Sequence, residues 1–148
     1  PNKMANLNLI KLNSIEDEYR IFWFEQLGRG ANGYVYSCIS KSNWQKYAMK
    51  IVSDTPKARR EIEMQIHCQD SPYTVSIIDV FCNTCLSGEK REHKGDYLFI
   101  VMEYMRGGEL FDIVRNYTGI FTEAHWCIIV KKLILAVKDI HDMGVIHR

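Results

Sequence analysis

The sequence predicts an α+β fold: a five-stranded antiparallel sheet with one helix inserted after the third strand, followed by further helices. Three observations carry this. Two aromatic and β-branched runs, "YRIFWFEQL" and "YVYSCIS", flank a glycine cluster as the arms of a hairpin. Helical spacing of apolar residues begins only after Thr55. From Gly107 to the end the pattern is helical rather than alternating.

Residues 1–18 are polar and weakly patterned and read as a tail. "SKSNWQK" reads as a turn, and "YAMKIV" as the third strand. Thr55 and Pro56 supply a cap and a first helical position. The helix they open places Ala58, Ile62 and Ile66 four apart on one face, and Ser71-Pro72 ends the segment. "TVSIIDVF" and "YLFIVMEYM" are two more strands, joined by the charged connection "CNTCLSGEKREHKGD". Gly107-Gly108 precedes a short helix, "ELFDIVRN". Thr122 caps a long helix with a buried stripe of Ile129, Val130, Leu133, Ile134, Val137 and Ile140, stopped by Gly144. Neither an internal repeat nor a low-complexity segment interrupts this order.

Composition sets the bounds. A length of 148 residues suffices for one domain with a real core, and 47 % apolar with 25 % charged residues is ordinary globular composition. A net charge of +1 offers no bulk attraction for nucleic acid or an acidic surface, so no nucleic-acid partner is expected. No apolar run reaches membrane-spanning length and no leader is legible, so no membrane association is expected. Five cysteines form no disulfide framework, which points to a reducing compartment; the expected location is the cytoplasm, with the nucleus as a second site. A start at Pro1 and an end at "GVIHR" read as a piece of a longer chain.

The chemistry centres on "LGRGANGYVY", with Gly28, Gly30 and Gly33 in the spacing G-x-G-x-x-G. Glycines at this spacing let backbone N–H groups approach phosphate oxygens. A dinucleotide-binding turn needs a helix directly after the glycines. Here a strand follows, so the glycines form a hairpin tip: a lid over a triphosphate, or a plain glycine turn. Seventeen residues after Gly33, Lys50 shares a strand face with Ala48. An ammonium in a covered space needs an anionic partner. Glu61, between Ala58 and Ile62, reads as inward-facing, with Glu63 turned about 200° from it. The expectation is a Lys50–Glu61 pair beneath the glycine lid.

Taken together, "GRGANGYV", "YAMK" and a glutamate eleven residues after the lysine resemble the N-terminal lobe of the protein kinases. Gly28, Gly30, Gly33 and Val35 match G-x-G-x-x-G-x-V; Ala48 and Lys50 match V-A-I-K; His147-Arg148 matches the opening of H-R-D. "PKARREIEMQIHCQDSP" and "IVMEYMRGGELFDIV" resemble most the MAP-kinase-activated protein kinases, which are calmodulin-kinase-like serine/threonine kinases. The resemblance divides residues 19–148 into an N-lobe (19–102), a hinge (103–106) and the start of a C-lobe (107–148).

The resemblance implies ATP as cofactor, held by Leu27, the loop residues Gly28, Arg29, Gly30, Ala31, Asn32, Gly33 and Tyr34, and Val35, with Ala48 leaving room for the adenine. Lys50 would hold the α- and β-phosphates, oriented by Glu61. Met102 would stand at the back of the pocket, Glu103 and Met105 would offer backbone hydrogen bonds to adenine, and Glu109 would reach the ribose. Apart from the motif, Met102 and Met105 read as core packing. The catalytic-base Asp and the Mg²⁺-holding Asn and Asp of the family fall after Arg148, so the chain itself is expected to be inactive and to hold no metal. A protein substrate and an upstream MAP kinase are implied as partners of the parent protein. Cys82-x-x-Cys85 with His93 has metal spacing but lacks a second pair, so reduced thiols are expected there. Two alternatives stand beside the kinase reading. One is a truncated, non-catalytic nucleotide-binding or scaffold module; the other is a structural sheet domain with an incidental glycine turn.

Overall fold

A computed structural model describes residues 10–30, 33–83, 96–116 and 119–147. The chain divides into two compact units, residues 1–66 with 76–104, and residues 67–75 with 105–148.

The first unit is a six-stranded sheet. Its strands are β1 (Ile10–Lys11), β2 (Tyr19–Gly30), β3 (Gly33–Ser40), β4 (Lys46–Ser53), β5 (Ile77–Asn83) and β6 (Tyr97–Glu103). Their spatial order is β1-β5-β6-β4-β3-β2, and every pairing is antiparallel except β1 with β5. The fold class stands as read, with one strand more than the five expected. The extra strand corrects the expected tail: residues 10–18 belong to the fold. Ile10 and Lys11 pair with Val80 and Phe81. A single helical turn, α1 (Ile15–Glu18), capped by Ser14, buries Ile15 completely. Lys11 Nζ holds the segment in place, lying 2.6 Å from Glu18 and 2.9 Å from Asp79. Asp79 also accepts the Tyr19 hydroxyl at 2.5 Å. Burial, and then this bond, push the Tyr19 phenol up.

Alternation along the strands sends side chains to two cores. One face gathers Ile15, Tyr19, Cys38, Met49, Phe81, Phe99 and Val101. The other gathers Val52, Val80, Leu98 and Ile100 with Ile62 of α2 (Pro56–His67). The expected stripe of that helix is the observed one, since Ala58 and Ile66 pack beside Ile62. Thr55 caps it as expected, its hydroxyl accepting the Ala58 N–H at 3.1 Å.

The second unit holds α3 (Leu110–Asn116) and α4 (Glu123–Asp142). Ser71 donates to Asp139 at 3.0 Å, and His67 Nε2 lies 3.1 Å from the Met143 carbonyl oxygen. Gly144 ends α4 in the left-handed conformation, φ +77°. Of the expected buried stripe of α4, Ile140 is buried and Ile129 partly so; Val130, Leu133, Ile134 and Val137 are exposed. Periodicity marks the face a helix can bury, not how much of it a neighbour covers. Among the described residues no helix is long and apolar enough to cross a membrane.

Candidate nucleotide-binding site

Cross-strand register assembles the site, because directly opposed residues point to the same face of a sheet. Gly28 lies opposite Val35, and Val35 opposite Lys50. Ser37 lies opposite Ala48, and Ala48 opposite Met102. One face therefore carries Gly28, Val35, Lys50, Ala48 and Met102, five of the residues singled out in the sequence. Residues two apart on β4 add Lys46 and Val52 to that face, which is the face packed by α2.

The β2–β3 hairpin ends on the pair Gly30 and Gly33. Ala31 and Asn32 lie outside the described residues. The three glycines are not equivalent. A Cβ on Gly28 or Gly30 would meet nothing within 4 Å. Gly33 has φ +139°, and a Cβ there would stand 1.9 Å from the Ile51 carbonyl oxygen of β4. Gly33 is thus demanded by its own sheet, whatever ligand lies beneath it. Arg29 sits over the Tyr34 ring at 5.3 Å, stiffening the tip. Leu27 and Tyr34 are exposed.

Lys50 is half-buried, between Val35 and Ile100 of the neighbouring strands. Among the described residues it forms no ion pair. The structure does not bring Glu61 to it. Glu61 is exposed, and its carboxylate lies 4.0 Å from Lys57 one turn away. This corrects the inward placement. Relative to Ile62, the centre of the buried stripe, Glu61 and Glu63 each stand about 100° to one side. Periodicity therefore gives neither glutamate the inward position.

Glu103 ends β6 and is tied to Ser76: its N–H donates to the Ser76 carbonyl at 3.2 Å, and its carboxylate accepts the Ser76 N–H at 3.0 Å. The N–H of Glu103 is therefore already engaged within the sheet unit, and the backbone hydrogen bond expected of Glu103 toward adenine would fall to its carbonyl oxygen. In the second unit Met105 is exposed and its carbonyl accepts the Gly108 N–H at 3.4 Å. Glu109 immediately precedes α3, exposed, its carbonyl accepting the Ile113 N–H at 3.2 Å.

Cys85 and His93 lie outside the described residues. Cys82 donates to Asp54 at 3.5 Å, and Asp54 also receives a two-pronged bond from Arg59, at 2.7 and 2.6 Å. Burial, then the Asp54 bond, push the Cys82 thiol up. Arg59 of α2 is thereby engaged by the preceding loop.

A glycine hairpin, a half-buried lysine and a small alanine thus share one face of the sheet. The chain belongs to the protein kinase family: the protein kinase domain model matches residues 23–148. It is similar to MAP kinase-activated protein kinase 5 of Homo sapiens, 38 % identical over 139 residues, which cover 94 % of this chain and 29 % of that protein. It is also similar to MAP kinase-activated protein kinase 2 of Oryctolagus cuniculus, 37 % identical over 140 residues (94 % of this chain, 36 % of that one). The protein of that name from Drosophila melanogaster is 37 % identical over 123 residues, 82 % of this chain and 32 % of the relative. The chain spans about a third of the length of the curated relatives it matches.

Proposed function

We propose that this chain is the ATP-binding part of a serine/threonine protein kinase of the MAP-kinase-activated kind. The observation that carries the reading is Lys50: a cation on the face shared with Gly28, Val35, Ala48 and Met102, with no ion pair among the described residues. A half-buried ammonium without a carboxylate is suited to phosphate oxygens.

The residues present fit ATP. Val35 and Ala48 offer an apolar, low-profile surface to adenine, and Lys50 offers a fixed positive charge to the α- and β-phosphates. Gly28 and Gly30 leave open space for backbone N–H groups to approach the triphosphate. Bound ATP, with Mg²⁺, would supply the phosphoryl group; within this sequence no residue is assigned to the metal. Positioning and charge neutralisation are most of what phosphoryl transfer requires. In this reading Glu61 steadies Lys50 only in the nucleotide-loaded, full-length protein. The relatives' names supply two proposed partners, a protein substrate and an upstream MAP kinase as activator; serine or threonine hydroxyls as the acceptors rest on the family resemblance alone.

Lys50→Met in the full-length protein tests this. Loss of a charge clamp on the transferring phosphate is expected to lower turnover on peptide by about 10²–10³-fold, with an unchanged melting temperature. Turnover like that of the wild type in a folded variant overturns the reading. ATP binding without phosphoryl transfer in the wild type selects the non-catalytic module instead.

A further inference from the structure

Three consecutive residues of β2 have no cross-strand partner in the register, and Leu27 further on is skipped as well. Phe22 lies opposite Ser37 and Gln26 opposite Tyr36, so Trp23, Phe24 and Glu25 bulge against a single step of β3. A bulge re-aims side chains, and bulges gather next to functional sites. Here the ring of Trp23 packs on Tyr36 with centroids 5.3 Å apart, and Phe24 is left in solvent. The carboxylate of Glu25 turns onto the sheet. Its Oε2 accepts the hydroxyl of the fully buried Ser37 at 2.7 Å, and its Oε1 accepts Lys46 Nζ at 2.5 Å.

Lys46 opens β4, two residues before Ala48 and four before Lys50. Besides the carboxylate, its ammonium meets the Tyr104 ring, 4.7 Å from the centroid. Tyr104 directly follows Glu103, the last residue of β6, which lies opposite Tyr47. A chain of contacts thus crosses one end of the sheet: Ser37 to Glu25 to Lys46 to Tyr104. At one end Glu25 stands two residues before Leu27, at the root of the glycine hairpin. At the other stands the backbone that follows β6. Bonding to Lys46 and then to Ser37 holds the Glu25 carboxyl below its usual value, and the Glu25 bond holds Lys46 above its own. Both groups are therefore charged throughout the neutral range.

We propose that Lys46 is a positioning residue: it fixes the Glu103–Tyr104 backbone relative to the root of the glycine hairpin, and so sets the width of the adenine end of the site. The inference rests on the ATP-binding reading above and adds a residue to it. Lys46 and Lys50 share a face but divide the work. Lys50 meets phosphate; Lys46 meets no part of the nucleotide and acts through Tyr104 and Glu25.

The division gives a test that a general loosening of the sheet would not mimic. In the full-length protein, calorimetry measures binding of adenosine, which has no phosphate, and of inorganic tripolyphosphate, which has no base. Lys46→Ala is expected to weaken adenosine by about five- to tenfold, while tripolyphosphate stays within about twofold. Lys46→Arg, which can both pair with Glu25 and stack on Tyr104, restores adenosine binding. Glu25→Gln moves adenosine in the same direction as Lys46→Ala and reads the contact chain should the alanine variant fail to fold. Wild-type affinity for adenosine in both Lys46→Ala and Glu25→Gln, or equal weakening of both ligands, overturns the inference and leaves the ATP reading in place. A wild-type protein that binds neither ligand overturns the ATP reading itself, and the inference falls with it.

Discussion

Substituting alanine for each hairpin glycine in turn separates what the sheet demands from what a nucleotide demands. At Gly33 two costs combine. A φ of +139° is a region that L side chains rarely adopt, and a residue held there costs about 1–3 kcal/mol. The new Cβ would stand 1.9 Å from the Ile51 carbonyl oxygen, which is backbone and cannot rotate aside. Moving β3 away from β4 to relieve such an overlap costs about 1–3 kcal/mol more, by analogy with overpacked cores. A total of about 3 kcal/mol lowers the melting temperature by roughly 6–12 °C in a chain of this size. Gly28 and Gly30 have open space and no positive φ, so alanine there is expected to be neutral, or to stabilise by up to about 1 kcal/mol through the unfolded chain. Their cost should appear in ATP affinity instead. The assay is thermal unfolding followed by tryptophan fluorescence, since Trp23 packs on Tyr36 of β3, with ATP titrations of the same variants. A Gly33→Ala protein melting within about two degrees of wild type, or a Gly28→Ala protein melting far below it, would refute the reasoning.

Two further outcomes follow from the packing and the charges. Ile15 is completely buried in the core with Tyr19 and Phe81, so Ile15→Ala should cost about 2–5 kcal/mol in chemical denaturation; a loss under about 0.5 kcal/mol would return residues 10–18 to the status of a tail. Glu25, lowered by its bonds to Lys46 and Ser37, contributes stability that is present above its usual 4.5 and is lost as pH falls through its folded value. Lys46, raised by Glu25, contributes fully below its usual 10.5 and loses that contribution as pH rises through its folded value. The stability gap between wild type and Glu25→Gln should therefore be flat across neutral pH and shrink as pH falls through the acid range; a gap that does not change with falling pH contradicts the pairing.

What was legible in the sequence is what local pattern controls. The patterns of "YVYSCIS" and "YAMKIV" marked β3 and β4 and put Ala48 and Lys50 on one face, while the register that adds Val35 to that face shows only in the pairing. The Thr55-Pro56 cap and the four-residue spacing of Ala58, Ile62 and Ile66 fixed α2 and its buried side. Long-range partners were not legible. Ile15 stands alone between polar residues, and Ile10 lies in the short run "NLNLIKLN", which is too brief to announce what it pairs with. They are recruited by β5, some seventy residues on, through parallel pairing and the Lys11–Asp79 contact. The β2 bulge was hidden for a related reason: "YRIFWFEQL" reads as one uninterrupted strand, and only pairing with β3 shows where the two chains fall out of step. With the bulge went the Glu25–Lys46–Tyr104 contacts, which link residues far apart in sequence.

Glu61 shows where sequence geometry runs out inside an element that was read correctly. Residues four apart advance by about 40° around a helix, so the Ala58–Ile62–Ile66 stripe centres on Ile62, with Glu61 and Glu63 on opposite flanks. Choosing a flank requires the neighbouring sheet, and the sheet places Ile62 in the cluster that contains Ile100, the cross-strand neighbour of Lys50. The contact that Glu61 does make is weak. It lies 4.0 Å from Lys57, both side chains are exposed, and a lysine N-terminal to its glutamate is the poorer orientation for such a pair, worth at most a few tenths of a kcal/mol. The ion pair with Lys57 is therefore no barrier to Glu61 reaching Lys50; the packing of Ile62 is. Turning α2 about its axis by the 100° that separates the two residues would carry Ile62 out of its cluster, at a cost of about 1.5–3 kcal/mol for one exposed isoleucine. A shift of the helix along the sheet, with Ile62 kept against its apolar neighbours, avoids that loss. The packing of Ile62 therefore weighs against any rotation of α2 that would bring Glu61 to Lys50.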